Sequence, residues 1–147
     1  MNELFSYYEG ELDVFISESL IIKDTLLKRI ISEVSDNLIK ELKQKGIEID
    51  TTYRHTLDNS AIRHSLKNHG NKKEELRGQI PVTASDLMKI PEIISSYDSL
   101  TTDKNQRGQD VIIYSKDMGN NLTLFVEEIR LKRHELAAST MYKKKKG

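Results

Sequence analysis

The chain contains no cysteine in its 147 residues. It can therefore form neither a disulfide nor a thiolate zinc site, and its composition is compatible with a reducing compartment. No apolar run approaches the roughly 20 residues that a membrane-spanning helix requires. The opening residues "MNELFSYYEGELD" lack the basic and apolar regions of a secretory signal. We therefore expect a cytoplasmic protein with no membrane partner.

The chain also lacks the motifs of several common enzyme classes. Neither G-x-G-x-x-G nor G-x-x-x-x-G-K occurs, and the G-x-S-x-G nucleophile elbow is absent. His64 and His69 lie five residues apart on one predicted helix, which separates them by roughly 140° around its axis. A zinc pair on a helix needs a spacing of four residues, so that both rings share a face. We predict no metal site and no cofactor.

The formal net charge of zero conceals an acidic first third of the chain. Residues 1–50 carry 6 Lys and Arg against 11 Asp and Glu (6 − 11 = −5), and residues 51–147 carry 17 against 12 (17 − 12 = +5). This split indicates two regions with different partners, one region folding over the other, or the chance patchiness of a charged surface.

The acidic region has the pattern of an amphipathic helix. From Glu11 to Lys45 apolar residues recur at steps of three and four, no proline interrupts them, and Gly46 follows as a helix-stop signal. The pattern fits one long helix or two helices with a break near residues 17–19. We predict an acidic helical arm over residues 1–46 that either docks on the rest of the chain or pairs in a weak dimer.

Residues 47–147 predict a second domain, with short helices followed by strands. A helix over residues 59–69 has Asp58 or Asn59 as its cap and ends at Gly70, and Thr83 with Asp86 forms a variant capping box. Residues 98–110 predict a mobile loop. Apolar residues then recur with a period of two residues in "VIIYSK", "LTLFVEEIR" and "ASTMYKK", which predicts three strands. The segment "DMGNN" predicts a hairpin turn between the first two. This order predicts an α+β domain.

Metal-free acid–base chemistry is the reaction type that these residues could support. RNA cleavage by 2′-hydroxyl attack needs two proton-transfer groups and cations that steady the phosphoryl charge. Histidine, with an ordinary pKa near ~6.5, can serve in either proton role. His69 at a helix C-terminus suits an acid or a phosphate-binding cation, or else continues the apolar stripe as a half-buried packing residue. His64 is either a second proton-transfer group or a solvated surface residue.

The strands offer further candidates. Alternation places Glu128 and Arg130 on one face of their strand, and Thr140 and Tyr142 on one face of the last strand. These side chains could line a groove for a sugar–phosphate backbone, or form the solvated side of an ordinary sheet.

Taken together, the second two-thirds of the chain resembles the phage-type nucleases of the barnase–EndoU–colicin–RelE fold. The stretches that carry the resemblance span about residues 54 to 143 and are, in order, "IRHSLKNHG", "RGQIPVTASDL", "IPEII", "VIIY", "LFVEEIR" and "ELAASTMYKKK". The resemblance implies helices packed on one face of a small twisted antiparallel sheet. It also implies metal-independent cleavage of RNA, in a toxin or effector of a phage or mobile element.

The resemblance also implies roles for individual residues and partners. The candidate catalytic residues are His64, His69, Glu128, Thr140 and Tyr142. The candidate phosphate-binding residues are Arg63, Arg77, Arg130 and Lys143. The implied partner is tRNA or mRNA in a bacterial host or target cell, with a cognate inhibitor protein as a further candidate. A non-catalytic RNA-binding or protein-interaction module on the same fold, and a helical adaptor that acts through its arm, are the alternatives.

Overall fold

The computed structural model describes residues 5–71, 73–76 and 78–146, which form one mixed sheet and a set of short helices. The strands are β1 (Phe5–Tyr7), β2 (Leu26–Glu33), β3 (Arg54–Asp58), β4 (Gln79–Ile80), β5 (Ser99–Lys104), β6 (Asp110–Asp117), β7 (Leu122–Arg130) and β8 (Glu135–Lys144). The helices are α1 (Leu12–Ser19), α2 (Asp36–Gln44), α3 (Asn59–His69), α4 (Lys73–Leu76), α5 (Ala84–Leu87) and α6 (Ile90–Ser96).

The sheet has the strand order β1-β2-β3-β8-β7-β6-β5, and β4 pairs with the far end of β8. The pairs β1·β2 and β3·β8 are parallel, and the other pairs are antiparallel. β3 leaves β8 after a short parallel stretch and continues into α3, so that α3 runs beside the middle of β8. The predicted α+β fold class is confirmed. The sheet has eight strands and is larger than the three predicted strands would form.

The two faces of the sheet differ in composition. One face, which we call the helix-covered face, packs against the helices through a core of apolar side chains. This core includes Phe15, Leu38, Ile62, Leu87 and Ile93 from the helices and Leu57, Ile112, Phe125, Leu136 and Met141 from the strands. Side chains pointing the other way include Lys28, Thr56, Glu128, Arg130, Glu135, Thr140 and Tyr142. We call this second face the charged face.

The predicted helix signals around α3 and α5 are confirmed. The Asp58 side chain accepts a hydrogen bond from the backbone N–H of Ala61 at 2.7 Å, which satisfies a free donor at the start of α3. Thr83 and Asp86 form a reciprocal capping box at the start of α5. These caps fix where α3 starts and how α5 follows β4, and both elements position side chains next to β8.

The helical arm predicted over residues 1–46, as one helix or as two with a break near residues 17–19, is wrong. Residues 26–33 form β2, which pairs with β1 and β3 inside the sheet, and α1 and α2 lie on either side of it. In "LLKRIISE" the apolar residues satisfy helical spacing, and in the strand they are half-buried. Because β2 and β3 are neighbours, a division of the chain at residue 46 separates two paired strands.

The mobile loop predicted over residues 98–110 is also wrong in part. Residues 99–104 form β5, an edge strand that pairs along its whole length with β6, and a turn at residues 105–109 follows it. Leu100 is its one buried residue, so the segment is polar enough to resemble a loop. Across the described ranges no helix is long and apolar enough to cross a bilayer.

Candidate active site

His69, at the last position of α3, is held by a carboxylate. Its Nδ1 lies 3.0 Å from Oε2 of Glu74, whose side chain is fully buried, while the imidazole remains 19% exposed. A carboxylate only accepts hydrogen bonds, so Nδ1 carries a proton and donates it to Glu74. Nε2 is then the ring nitrogen that can gain or lose a proton. A histidine oriented by a carboxylate in this way is the arrangement of many catalytic bases.

Tyr142 on β8 packs beside this histidine. The ring centroids of His69 and Tyr142 are 5.8 Å apart with an interplanar angle of 34°. Burial raises the pKa of the Tyr142 hydroxyl, so this hydroxyl is protonated at neutral pH and can donate a hydrogen bond. The exposed ammonium of Lys144 lies 5.8 Å from the centroid of the Tyr142 ring and adds a positive charge at the same place. The structure therefore brings the predicted residues His69 and Tyr142 together.

Thr140 lies two residues before Tyr142 on the same face of β8. It is opposite Val126 of β7, and Tyr142 is opposite Leu124. The Thr140 hydroxyl oxygen is shielded from solvent and has no hydrogen-bond partner among the described residues. The predicted pairing of Thr140 and Tyr142 on one face is therefore correct, and the hydroxyl is left with its hydrogen-bonding capacity unused.

Glu128 and Arg130 lie on the charged face as predicted, but at a distance from His69. Leu124 of β7 is opposite Tyr142, and Glu128 is four residues further along that strand, about 13 Å away at ~3.3 Å per residue. Oε1 of Glu128 accepts a hydrogen bond from Nη2 of Arg107 at 2.8 Å, and its Oε2 lies 3.7 Å from Nη2 of Arg130. Groups so far apart cannot act on one phosphate together with His69. They form a separate charged cluster on the same face.

Two other predicted residues are engaged in structural bonds. Nη1 of Arg63 donates to the backbone carbonyl oxygens of Ser19 and Ile22, at 3.2 and 2.9 Å, and so fixes the end of α1 against α3. Nζ of Lys143 lies 2.8 Å from Oδ2 of Asp86, and both side chains are largely buried. Neither cation is placed to bind a phosphate from solvent.

Asp86 shows how strongly that second bond acts. Burial on its own would raise the pKa of this carboxyl, but hydrogen bonds from Lys143 and from Thr83 outweigh burial and hold the pKa below its ordinary value. The Lys143–Asp86 pair therefore ties α5 to the last strand.

Of the remaining two predicted residues, His64 does not join the site. His64 is exposed on α3 and accepts a hydrogen bond from Nδ2 of Asn68 at 2.9 Å, one helical turn along. The exposed side chain agrees with the alternative that His64 is a solvated surface residue. Arg77 lies outside the described residues.

A buried ion pair on the charged face was missed. Nζ of Lys28 on β2 contacts both carboxylate oxygens of Glu135 on β8, at 2.8 and 3.0 Å, across the intervening strand β3. The Lys28 side chain is 1% exposed. Assigning residues 11–45 to a helix concealed the pair, since only a strand at this position brings Lys28 to the sheet face. The pair joins the acidic first third of the sequence to the last strand.

A second buried network was also missed, on the helix-covered face. Glu127 accepts from the Tyr114 hydroxyl at 2.5 Å and lies 2.7 Å from Nδ1 of His55, and each of the three residues is at most 3% exposed. Burial, followed by the nearby charge of Glu127, raises the pKa of Tyr114 well above its ordinary value. The network is sealed in the core, where no nucleotide reaches it, and we assign it a structural role.

The fourth histidine, His134, lies in the turn between β7 and β8 with a positive φ of 54°. It stacks on Tyr53 with ring centroids 4.8 Å apart, and its Nδ1 lies 2.6 Å from the Thr52 hydroxyl. Among the described side chains, no cluster of three or more His, Asp or Glu residues could hold a metal ion.

Comparison with known proteins identifies the fold family. A family model described as PBECR3, phage-Barnase-EndoU-ColicinE5/D-RelE like nuclease3, matches residues 16–147. No curated protein and no solved structure matches the chain. The match confirms the resemblance found over residues 54 to 143 and extends it across β2 and α2, which carry the buried lysine and part of the core.

Proposed function

The chain belongs to the PBECR3 family of phage-Barnase-EndoU-ColicinE5/D-RelE like nucleases, and we propose that it is a metal-independent endoribonuclease whose active site is the His69–Tyr142 edge of the sheet. The single observation that carries this proposal is the pair formed by His69 and Glu74, with a protonated tyrosine hydroxyl beside it. This is a base with its orienting carboxylate and a hydrogen-bond donor, next to a partly exposed surface.

The proposed reaction begins with proton transfer to His69. Nε2 takes the proton from the 2′-hydroxyl of the bound nucleotide, and the freed 2′-oxygen attacks the neighbouring phosphorus. The imidazole becomes an imidazolium, which the negative charge of Glu74 stabilises because the two groups are 3.0 Å apart. Glu74 does not touch the substrate. It is a positioning residue that sets which ring nitrogen reacts.

The reaction ends with departure of the 5′-oxygen. As the phosphorus–oxygen bond breaks, the 5′-oxygen takes a proton from the Tyr142 hydroxyl, and a 2′,3′-cyclic phosphate remains on the other product. The imidazolium and the tyrosinate then exchange protons through solvent and restore the starting state. Lys144 beside the Tyr142 ring offsets part of the phosphoryl charge. Only proton transfer and electrostatic stabilisation are required.

The rest of the charged face supports binding of an extended RNA strand. Arg107 is 73% exposed and Arg130 is 31% exposed, and both lie near Glu128, about 13 Å from the His69 edge by strand spacing. Phosphates on either side of the cleaved bond can pair with such cations without contributing sequence information. We propose tRNA or mRNA as the substrate, in the cytoplasm of a bacterial host or target cell. A cognate inhibitor protein would cover this face.

The test is incubation of the full chain with total tRNA and with mRNA, with and without EDTA, followed by identification of the product ends. We expect products with 2′,3′-cyclic phosphate ends in both conditions. His69→Gln should abolish them, and the matched variant His64→Gln on the same helix should not. Loss of cleavage in EDTA would exclude a metal-free reaction. RNA binding without cyclic phosphate products would favour the non-catalytic module.

A further inference from the structure

Two oxygen atoms near Tyr142 are shielded from solvent and make no hydrogen bond. They are Oγ1 of Thr140 and Oε1 of Gln79, and they are the two such side-chain atoms among the residues that the structure describes. Thr140 precedes Tyr142 by two residues on the same face of β8. Gln79 of β4 is opposite Lys144, so it is a diagonal neighbour of Tyr142 on that face. The tyrosine thus lies between two unused hydrogen-bonding groups.

Such atoms carry a cost that a folded protein ordinarily avoids. Most buried polar atoms have a partner, and each one without a partner calls for an explanation. A donor or acceptor left unsatisfied in the folded protein has lost its hydrogen bond to water and gained none in return. Chance does not readily place both exceptions beside the same aromatic ring. A ligand that bonds to both atoms would explain their position.

We propose that Gln79 and Thr140, which lie on either side of Tyr142 along β8, bind opposite sides of a nucleobase that stacks on the Tyr142 ring, which makes this edge of the sheet a base-specific subsite. The inference rests on the proposed function and adds to it the recognition of one base of the RNA. The amide of Gln79 offers an acceptor and donors, and the Thr140 hydroxyl can donate or accept. A base presents donors and acceptors on more than one edge, so groups on either side of Tyr142 can bind the same base.

The surroundings suit a nucleotide. Stacking on an aromatic side chain is a favourable interaction for every nucleobase, because each has a π face. Thr140, Tyr142 and Gln79 are all partly exposed as residues, so a ligand at the surface can meet each of them. The proposal requires the Thr140 and Gln79 side chains to rotate and present their shielded oxygen atoms to that ligand. The nucleobase would lie next to His69. The ribose and its 2′-hydroxyl would then be within reach of His69 Nε2, the proposed general base.

The test measures binding without requiring cleavage. The four nucleoside 3′-monophosphates and, as the base-free probe, ribose 5-phosphate are titrated into the full chain and into Gln79→Leu and Thr140→Val. We expect at least one nucleotide to bind more tightly than ribose 5-phosphate. Each variant should raise the Kd of that nucleotide about tenfold, which corresponds to the loss of one hydrogen bond. Each variant should leave the Kd of ribose 5-phosphate unchanged.

Stability gives a second readout that separates recognition from structure. Because both oxygen atoms are unsatisfied in the free protein, Thr140→Val and Gln79→Leu should leave the melting temperature unchanged or raise it. The matched control is Thr123→Val, since the buried Thr123 hydroxyl donates to Asn121 at 2.6 Å on the helix-covered face. Thr123→Val should lower the melting temperature and leave nucleotide binding unchanged.

The outcomes separate this inference from the proposed function. The base subsite would be overturned, even if RNA is cleaved, if the parent protein binds nucleotides no better than ribose 5-phosphate. It would also be overturned if the variants bind nucleotides as tightly as the parent does. Base-dependent binding that both variants weaken would support the subsite even in a protein that cleaves no RNA.

Discussion

His55 and His69 have the same local chemistry and different surroundings. Each donates from Nδ1 to a buried glutamate, Glu127 at 2.7 Å and Glu74 at 3.0 Å. The His55 side chain is 4% exposed beneath the helices, whereas that of His69 is 19% exposed at the edge of the sheet. The same pair of side chains stabilises the core in one place and can meet a substrate in the other. Access to solvent decides the role, not the identity of the residues.

The strand β7 shows the same division within two adjacent residues. Glu127 points into the core and binds Tyr114 and His55, and Glu128 points to the charged face and binds Arg107. Alternation along a strand sends neighbours to opposite faces. The helix-covered face is thus a structural unit, and the charged face is the surface on which we propose that RNA is cleaved. The following variants test this separation.

The largest effect on stability should come from Glu127→Ala. It leaves the Tyr114 hydroxyl and the His55 imidazole buried without their shared acceptor and opens a cavity, so we expect a loss of about 4–5 kcal/mol in the free energy of unfolding. The neighbouring variant Glu128→Ala should cost about 1 kcal/mol, because its partner Arg107 is exposed. Urea denaturation of both variants measures the difference. Equal losses would contradict the division of β7 into two roles.

Glu135→Ala tests whether the charged face also contains structural groups. This variant removes the carboxylate whose two oxygens accept hydrogen bonds from the buried ammonium of Lys28. We expect a loss of about 3 kcal/mol in the free energy of unfolding. The control Asp110→Ala breaks the exposed Lys104–Asp110 pair, also 2.8 Å long, and should cost less than about 1 kcal/mol. If the two variants unfold at the same denaturant concentration, burial does not distinguish the pairs.

Asp86→Asn should produce a smaller loss that depends on pH. The folded protein holds the pKa of Asp86 below its ordinary value, so ionised Asp86 stabilises the fold at any pH above the ordinary value near ~3.9. That contribution disappears as the pH falls through the lower pKa of the folded state. We expect a loss of about 1–2 kcal/mol at pH 6 that shrinks towards pH 3. A difference between variant and parent that stays constant over this range would show that the charge of Asp86 is irrelevant.

His64→Ala should have the smallest effect. The side chain is exposed and bonds only within its own helix turn in the described contacts, so we expect a change within about 0.5 kcal/mol and unchanged RNA cleavage. Thermal unfolding and an RNA cleavage assay measure the two quantities. A large loss of cleavage in this variant would move the active site to the outer face of α3.

The elements that the sequence predicted well are those with local signals. The helix α3 has its cap at Asp58 and its end at Gly70, α5 has a capping box, and β6 and β7 have clear alternation around a hairpin turn. Each of these signals depends on residues within a few positions of one another. Local chemistry therefore sufficed for them.

β2 and β5 were missed for the opposite reason. β2 has the apolar spacing of a helix and becomes a strand only because β1 and β3 pair with it, and β5 is a polar edge strand with a single buried residue. Tertiary pairing overrides the local pattern in both. Without β2 in the sheet, the Lys28–Glu135 pair could not be anticipated.

The sequence predicted which strand residues of the candidate site share a face, but not that Glu74 is the partner of His69. The alternation of side chains along a strand, with a period of two residues, correctly grouped Glu128 with Arg130, and Thr140 with Tyr142. Glu74 lies five residues after His69 but beyond the end of α3, so no helical spacing relates the two. Only the turn after Gly70 brings the carboxylate back to the imidazole. Gln79 likewise joins the site through the pairing of β4 with β8.

The most direct test of the account compares His69→Gln with His55→Gln, by measuring kcat/KM on RNA and the free energy of unfolding for each. We predict that His69→Gln lowers kcat/KM about 10²- to 10⁴-fold while unfolding changes by no more than about 1 kcal/mol. His55→Gln should cost about 2–3 kcal/mol of stability and leave the folded protein's kcat/KM near that of the parent. A His69→Gln protein that cleaves RNA at the parent's rate, or a stable His55→Gln protein that cannot cleave it, would contradict the account.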